Sequence, residues 1–410
     1  MVVRKKSGTL SEQETAQIVQ RKNQVTLSEP EKTQIVQAVL TLKANGTYDR
    51  YVREHIDYAL AGHRGPAFFS WHREFLRRFE RDLQKAARNP NLGLPYWNWS
   101  FDNSSNSSIW GPGFMGGNGR TSDGQVMDGP FAFNTGNWTL NVRTNGEPPY
   151  LRRQFGVNIP SLPTQADVED TLKTGPYDVA PWNISSGSGF RNKAEGWIPG
   201  PEPQMHNRVH VWVGGSMLPM TSPNDPVFFL HHCFVDKQWS DWQVRQLELG
   251  GGDYNLYLPF SGANPGHNLE DAMPPWDQPN DTVTPADVLY NHGQMGYSYD
   301  TDTDMQPFDE LMPGQRIYSR GNTHCLTYQS DSNLVLYWVP TWQQLWNSHT
   351  AGQPVGVCRM EGDGNLVIYG PNNQIIWSSG TSGHTGGRLV VLPGKVVIYG
   401  LDGKVIWSTP

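Results

Sequence analysis

The stretch His55–Glu80, HIDYALAGHRGPAFFSWHREFLRRFE, decides the fold. After the break at Gly62, Gly65 and Pro66, the residues His72, Leu76, Phe79 and Leu83 recur at 4-3-4 spacing, with Phe68 one turn earlier. That is the inner stripe of an amphipathic helix, while Arg73, Glu74, Arg77, Arg78 and Glu80 decorate its other faces. His72 therefore points inward, and His55 and His63 stand just upstream. One inward histidine alone suits a hydrogen-bonded core residue as well as a ligand.

A second window changes the balance. His206 and His210 in MHNRVHVW stand at i and i+4, so both imidazoles share one helical face and can converge on one ion. In FFLHHCFVDKQWSDW the stripe Phe228, His232, Val235, Trp239 and Trp242 points His232 inward. His231 is turned about 100° away and reads as a supporting, hydrogen-bonding histidine. Seven of the 12 histidines thus fall in two windows. A zinc hydrolase reading of His206-xxx-His210 needs a Glu directly after the first histidine, and Asn207 stands there. Six neutral imidazoles without a cysteine cluster or fixed carboxylate suit copper best. Two such three-nitrogen sites facing each other across a four-helix bundle would hold a copper pair and take O2, an oxidase arrangement.

The rest of the chain fixes the setting. Its 410 residues suit two or more domains, and 43 Gly, 31 Pro and an 11% aromatic share describe a globular, loop-rich protein. A formal charge of −7 and the lack of a basic stripe argue against nucleic acid as partner. No apolar run is long enough to span a membrane, and Met1–Lys6 leads into polar sequence unlike a secretion signal. Localisation therefore stays open between the cytoplasm and the outside of the cell after partner-assisted export.

Residues 4–20 and 21–37 are near-duplicates with a 17-residue period, each reading as a Ser cap (Ser11, Ser28) before an acidic first helical turn. Residues 1–20 read as a dispensable extension and 21–302 as a mainly-α core draped with long loops between about 100 and 197. Residues 303–313 read as a linker. From 314 to 410 three segments recur, with Tyr337, Tyr369 and Tyr399 spaced 32 and 30 apart and Trp346, Trp377 and Trp407 spaced 31 and 30. Their alternating runs predict an all-β C-terminal domain. The expected fold class is thus multidomain: a four-helix-bundle dicopper core followed by a β-prism-like unit.

Over Arg21–Asp300 the strings YDRYVREH, GHRGPAFFSWHREFLRRFE, LPYWNWS, FRNKAEGW, HNRVHVWVGG and SPNDPVFFLHH resemble the tyrosinases, type 3 copper proteins, in particular the small actinomycete ones. That resemblance implies copper ligation by His55, His63 and His72 at one ion and by His206, His210 and His232 at the other. It also implies a water held over the site by Glu195 and Asn207, which would help deprotonate a phenol, and an apolar entrance at Val211, with Phe228 near the substrate ring. The loop from His55 to His63 is shorter than in those relatives, and an extra IPGPEP-like segment separates Glu195 from His206. The implied activity is O2-dependent oxidation of phenols and o-diphenols to o-quinones. The alternatives are a catechol or o-aminophenol oxidase with little hydroxylation, and a carbohydrate-binding protein with an inactive copper module. Tyrosinases of this kind also suggest a copper-delivery partner protein.

The C-terminal unit resembles the monocot mannose-binding (bulb-type) lectins, whose sugar motif is Gln-x-Asp-x-Asn-x-Val-x-Tyr. The first repeat carries it as Gln329, Asp331, Asn333, Val335 and Tyr337, and the second as Glu361, Asp363, Asn365, Val367 and Tyr369. The third has Val391, Pro393 and Lys395 at the polar positions, so the resemblance implies mannose-type glycan binding in the first two repeats and none in the third. Cys325 and Cys358 lie in matching strands, and a bridge between them is left open.

Overall fold

The computed structural model describes residues 18–250, 256–292 and 294–410. The Ser11-capped turn of the first duplicate lies outside the described residues. In the second copy Ser28 caps α1 (Glu29–Ala44): its hydroxyl accepts the Glu31 N–H, and the Glu31 carboxylate accepts the Ser28 N–H at 2.8 Å. Helices α2 (Thr47–Asp57), α3 (Ala59–Gly62) and α4 (Phe68–Ala87) follow. The long loops hold only the short α5 (Gln165–Leu172) and α6 (Phe190–Glu195), before α7 (Met205–Val213) and α8 (Val227–Glu248).

Helices α2, α4, α7 and α8 form the bundle around the histidines, and α1 packs outside on α2 and α4. The stripes read from sequence face inward: Phe68, His72, Leu76, Phe79 and Leu83 on α4, and Phe228, His232, Val235, Trp239 and Trp242 on α8 are all buried. Strand β1 (Val19–Arg21) runs parallel to β4 (Tyr297–Tyr299), and a small hairpin of β2 (Asp277–Gln278) and β3 (Asp281–Thr282) precedes β4. The extension read as residues 1–20 therefore ends too late, because Val19 and Gln20 pair with Tyr297 and Ser298. Arg21 then locks the strand to the bundle. Its buried guanidinium meets both Glu80 oxygens at 3.0 Å and lies 3.4 Å from the Tyr297 ring centre.

The C-terminal unit has three four-stranded antiparallel sheets. Its strands are β5 (Asp304–Met305), β6 (Glu310–Leu311), β7 (Arg316–Tyr318), β8 (His324–Tyr328), β9 (Leu334–Trp338), β10 (Gln343–Asn347), β11 (Val357–Met360), β12 (Leu366–Tyr369), β13 (Ile375–Ser378), β14 (Arg388–Leu392), β15 (Lys395–Tyr399) and β16 (Val405–Ser408). The sheets run β10-β9-β8-β7, β13-β12-β11-β6 and β16-β15-β14-β5. Trp346, Trp377 and Trp407, one per repeat, meet at centroid distances of 5.7–6.1 Å, as the 30-residue period demands. Segment 303–313 is not a free linker: β5 pairs with β14 and β6 with β11, so it completes two of the three sheets. Its short polar-interrupted runs hide the strands, since two-residue strands have no readable alternation. The cysteines, Cys325 and Cys358 included, are free thiols.

The third repeat faces the oxidase core. Val390, Val397 and Tyr399 form one apolar cluster with Val244 and Leu247 from the end of α8. The two apolar positions of that repeat's degenerate sugar motif are thus spent on docking, while Pro393 and Lys395 at its polar positions stay exposed. Beside this contact, buried His292 donates to Asp302 at 2.7 Å and to Asp309, and Arg388 meets Asp304 at 3.3 Å.

Candidate metal centre

Each ring of the first triad is aimed by a backbone carbonyl. His55, in the last turn of α2, directs Nδ1 at Met220 O (2.7 Å). His63, just past α3, directs it at Ala59 O (2.9 Å), and His72 on α4 at Phe68 O (2.8 Å). On α7, His210 Nδ1 meets Met217 O at 2.7 Å, and His206 Nδ1 meets Asn207 Oδ1 at 3.1 Å and Glu195 O at 3.3 Å. Neutral rings that give Nδ1–H to an oxygen keep their lone pair on Nε2. Burial enforces the neutral form: it pushes His63 and His210 down to about 4, and His55, His72, His206 and His232 well below the usual imidazole value.

The ring centres of His55, His63 and His72 lie 4.8–5.9 Å apart, and those of His206, His210 and His232 lie 4.6–5.5 Å apart. The two triads face each other: His72 stacks on His232 at 4.3 Å, and His63 lies 6.4 Å from His206. The nitrogens fit a pair of metal ions. His55 Nε2 and His72 Nε2 are buried without a hydrogen-bond partner, and His232 Nε2 is 3.2 Å from His206 Nε2 and 3.3 Å from His210 Nε2. Lone pairs held this way are poorly placed for anything but a shared cation.

His231 sits closer to this cluster than a 100° turn suggests, stacked on His206 at 5.1 Å. Its Nδ1 accepts the indole N–H of Trp99 at 3.1 Å, which leaves its proton on Nε2 and no lone pair for an ion. Trp99 was present in the LPYWNWS string, but nothing in its spacing showed that it holds His231.

A cleft of about 270 Å3 opens over His55, His63, His206 and His210. Val211, Leu218 and Met220 give it an apolar side, Glu195 and Asn207 a polar one, and among the described residues none from the prism lines it. Phe228 does not line it either: it is fully buried, 4.1 Å from His232 and 4.9 Å from His55. Its place in the same stripe, one turn before His232, puts it behind the rings instead of against a substrate.

Glu195, at the end of α6, is buried and doubly held. Its Oε1 accepts the Arg64 N–H at 2.6 Å, and its Oε2 accepts Arg191 Nη1 at 3.0 Å. Burial raises its pKa, with Arg191 pulling the other way. Arg191 is itself paired to Asp178 at 2.7 Å, a support invisible in the sequence because the partners come together only through the loop fold.

In the first prism repeat Gln329 Nε2 donates to Tyr337 Oη at 2.9 Å, and exposed Asp331 accepts the Asn333 N–H at 3.0 Å. Asn333 Oδ1 is taken by Ser348 Oγ and the Thr350 N–H, both at 3.2 Å. Val335 is fully buried between its cross-strand neighbours Thr327 and Asn347, so it supports the sheet and offers no surface to a sugar. In the second repeat Tyr369 Oη donates to Glu361 at 2.8 Å, Ser382 Oγ occupies Asp363 Oδ2 at 2.5 Å, and Asn365 Oδ1 is again held by Ser379 and Thr381.

Two facing imidazole triads with no thiolate or carboxylate donor, carried on four helices and, at His63, on the turn after α3, define a dinuclear copper oxidoreductase centre. The comparisons agree. The family model for the common central domain of tyrosinase matches residues 45–245. The chain is 48% identical over 310 residues to a tyrosinase of Streptomyces glaucescens, covering 74% of this chain and 100% of that one. It is 41% identical to the grixazone synthase of Streptomyces griseus subsp. griseus, covering 64% and 93%. Among solved structures, a mutant polyphenol oxidase of Thermothelomyces thermophila aligns at TM-score 0.51 and 24% identity over 69% of this chain and 88% of that one. A mannose-specific agglutinin from snowdrop bulbs aligns over 25% of this chain and 92% of that one, at 34% identity and TM-score 0.22. The chain belongs to the tyrosinase family. It is a copper oxidoreductase with a dinuclear copper cofactor, and phenols and O2 are its reactants.

Proposed function

We propose that His55, His63 and His72 hold one copper and His206, His210 and His232 the other, and that the chain both hydroxylates phenols and oxidises o-diphenols, phenol and O2 giving o-quinone and water. The observation that carries this is the convergence of Nε2 atoms from two facing triads beneath one cleft, those of His55 and His72 without a partner and those of His206 and His210 set against that of His232. The copper pair supplies the electron transfer that activates O2. The carbonyl-anchored rings keep that centre rigid. Val211, Leu218 and Met220 pack an aromatic ring and exclude water from it. A phenol with a pKa of about 10 must give up its proton at neutral pH, and Glu195 beside Asn207 is the buried acceptor in the cleft, where Glu202 is exposed.

A second reading, a catechol or o-aminophenol oxidase with little hydroxylation, is favoured by the double engagement of Glu195 by Arg64 N–H and Arg191. An o-diphenol needs less help to ionise. Steady-state assay of tyrosine against dopa decides: consumption of both supports the first reading, and oxidation of dopa alone establishes the second.

The prism, in this proposal, binds mannose-type glycans through Gln329, Asp331, Asn333 and Tyr337, and more weakly through Asp363, Asn365 and Tyr369, where Asp363 must give up Ser382. Such binding suits work on glycan-bearing surfaces outside the cell. A glycan array is the test, and no mannose-type signal would remove this role. The exposed Leu218 and Met220 of the cleft, with exposed Leu60 three residues before His63, suit an apolar contact from a copper-delivery partner. Copper loading that is unaffected by charged substitution at Leu60 would refute that contact.

A further inference from the structure

The three prism hairpins are built alike but differ at one turn position. Asn373 (φ 58°) and Gly403 (φ 72°) occupy the left-handed residue of the second and third turns, as expected for the types that tolerate it. The first repeat puts Trp342 there at φ 54°, the worst kind of side chain for that backbone. Its hairpin is also one residue longer: Tyr337 and Trp346 are nine apart, where Tyr369–Trp377 and Tyr399–Trp407 are eight apart. The extra residue falls before the turn, and a strained tryptophan left 48% exposed at the turn itself does not serve the core.

Its neighbours explain it better. The Trp342 ring meets the Tyr337 ring edge-on at 5.9 Å, and the Arg316 guanidinium lies 5.2 Å from its centre. Arg316, Thr327 and Val335 are ladder partners, so Trp342 leans over the sheet face that carries the Gln329–Tyr337 pair. Exposed Gln344 stands directly opposite Tyr337, where the second repeat has Ile375 and the third Val405. Only the first repeat, therefore, continues its motif into an aromatic surface edged by an amide.

We propose that Trp342, with Gln344, forms a second subsite that takes the next pyranose of an oligosaccharide whose terminal residue sits at Gln329, Asp331 and Tyr337. The apolar C–H face of the sugar stacks on the indole and the amide meets a hydroxyl. This rests on the glycan-binding reading of the first repeat.

Full-length protein titrated with methyl α-mannoside and with an α-linked mannotriose tests it by calorimetry. The wild type is expected to bind the triose tighter by about tenfold. Trp342→Asn, which installs the second repeat's own turn residue and relieves the backbone, should erase that advantage and leave the monosaccharide affinity unchanged, while Trp342→Phe keeps part of it. An unchanged triose advantage in Trp342→Asn overturns the subsite, as does equal loss for both sugars. Asp331→Ala should abolish both affinities. Wild-type binding of neither sugar ends the glycan reading itself, and the subsite with it.

Discussion

His206 Nε2 and His232 Nε2 stand 3.2 Å apart between α7 and α8, both rings buried and neutral. An ion between them relieves two facing lone pairs, so metal binding is coupled to folding. At copper concentrations about 1,000-fold above the dissociation constant the native state gains about 4 kcal/mol. Calorimetry should show a melting temperature raised by about 8 °C or more on copper loading. His232→Ala should lose one of the two ions by metal analysis and most of that gain.

Glu195 is the buried carboxylate of the cleft, Glu202 on its rim being exposed, and a positioned base contributes about 100-fold or more to a proton-transfer step. Glu195→Gln should lower tyrosine hydroxylation by about that factor and change dopa oxidation much less. Equal losses on both substrates would assign Glu195 to holding Arg191 and the Arg64 loop, and not to the proton.

His292 bridges Asp302 and Asp309 where the bundle meets the prism. Burial disfavours its charge, but Asp309 and Asp302 outweigh that and raise its pKa well above 6.5. Because the folded value exceeds the unfolded one, its stabilisation is complete below about pH 6.5 and is lost as pH rises through the folded value. His292→Gln should cost about 3 kcal/mol at pH 6 by denaturant titration, and the gap to the wild type should narrow in the alkaline range.

Leu247 and Val244 dock on Val397 and Tyr399 of the third repeat. The wild type is expected to melt in one transition, and Leu247→Asp should split it into two while leaving the dopa rate unchanged, since none of the described prism residues lines the cleft. A fall in that rate would mean that the prism acts on the active site.

The bundle and its histidines were legible because helical periodicity reports directly on burial: the stripes through His72 and His232 came from 4-3-4 spacing alone. The β-prism was legible from its repeat, and the Trp346–Trp377–Trp407 contact follows from it. What stayed hidden depends on contacts distant in sequence. Trp99 reaches His231 across 132 residues, and Arg191, one turn before Glu195 on α6, is held by Asp178 from the loop before the helix. A helical stripe reports which way Phe228 points and not whether substrate lies on that side, so its place behind His232 shows only in the fold. The strands at 304–305 and 310–311 carry no pattern of their own, and only their partners, β14 and β11, reveal them.

The most direct test of the central claim is copper content measured together with dopa oxidation on the same purified, copper-reconstituted protein. Two copper ions per chain, with oxidation of dopa that disappears on chelation and returns with copper, is the predicted result. Two bound ions without any oxidation of dopa, or oxidation that survives complete removal of copper, would contradict the account.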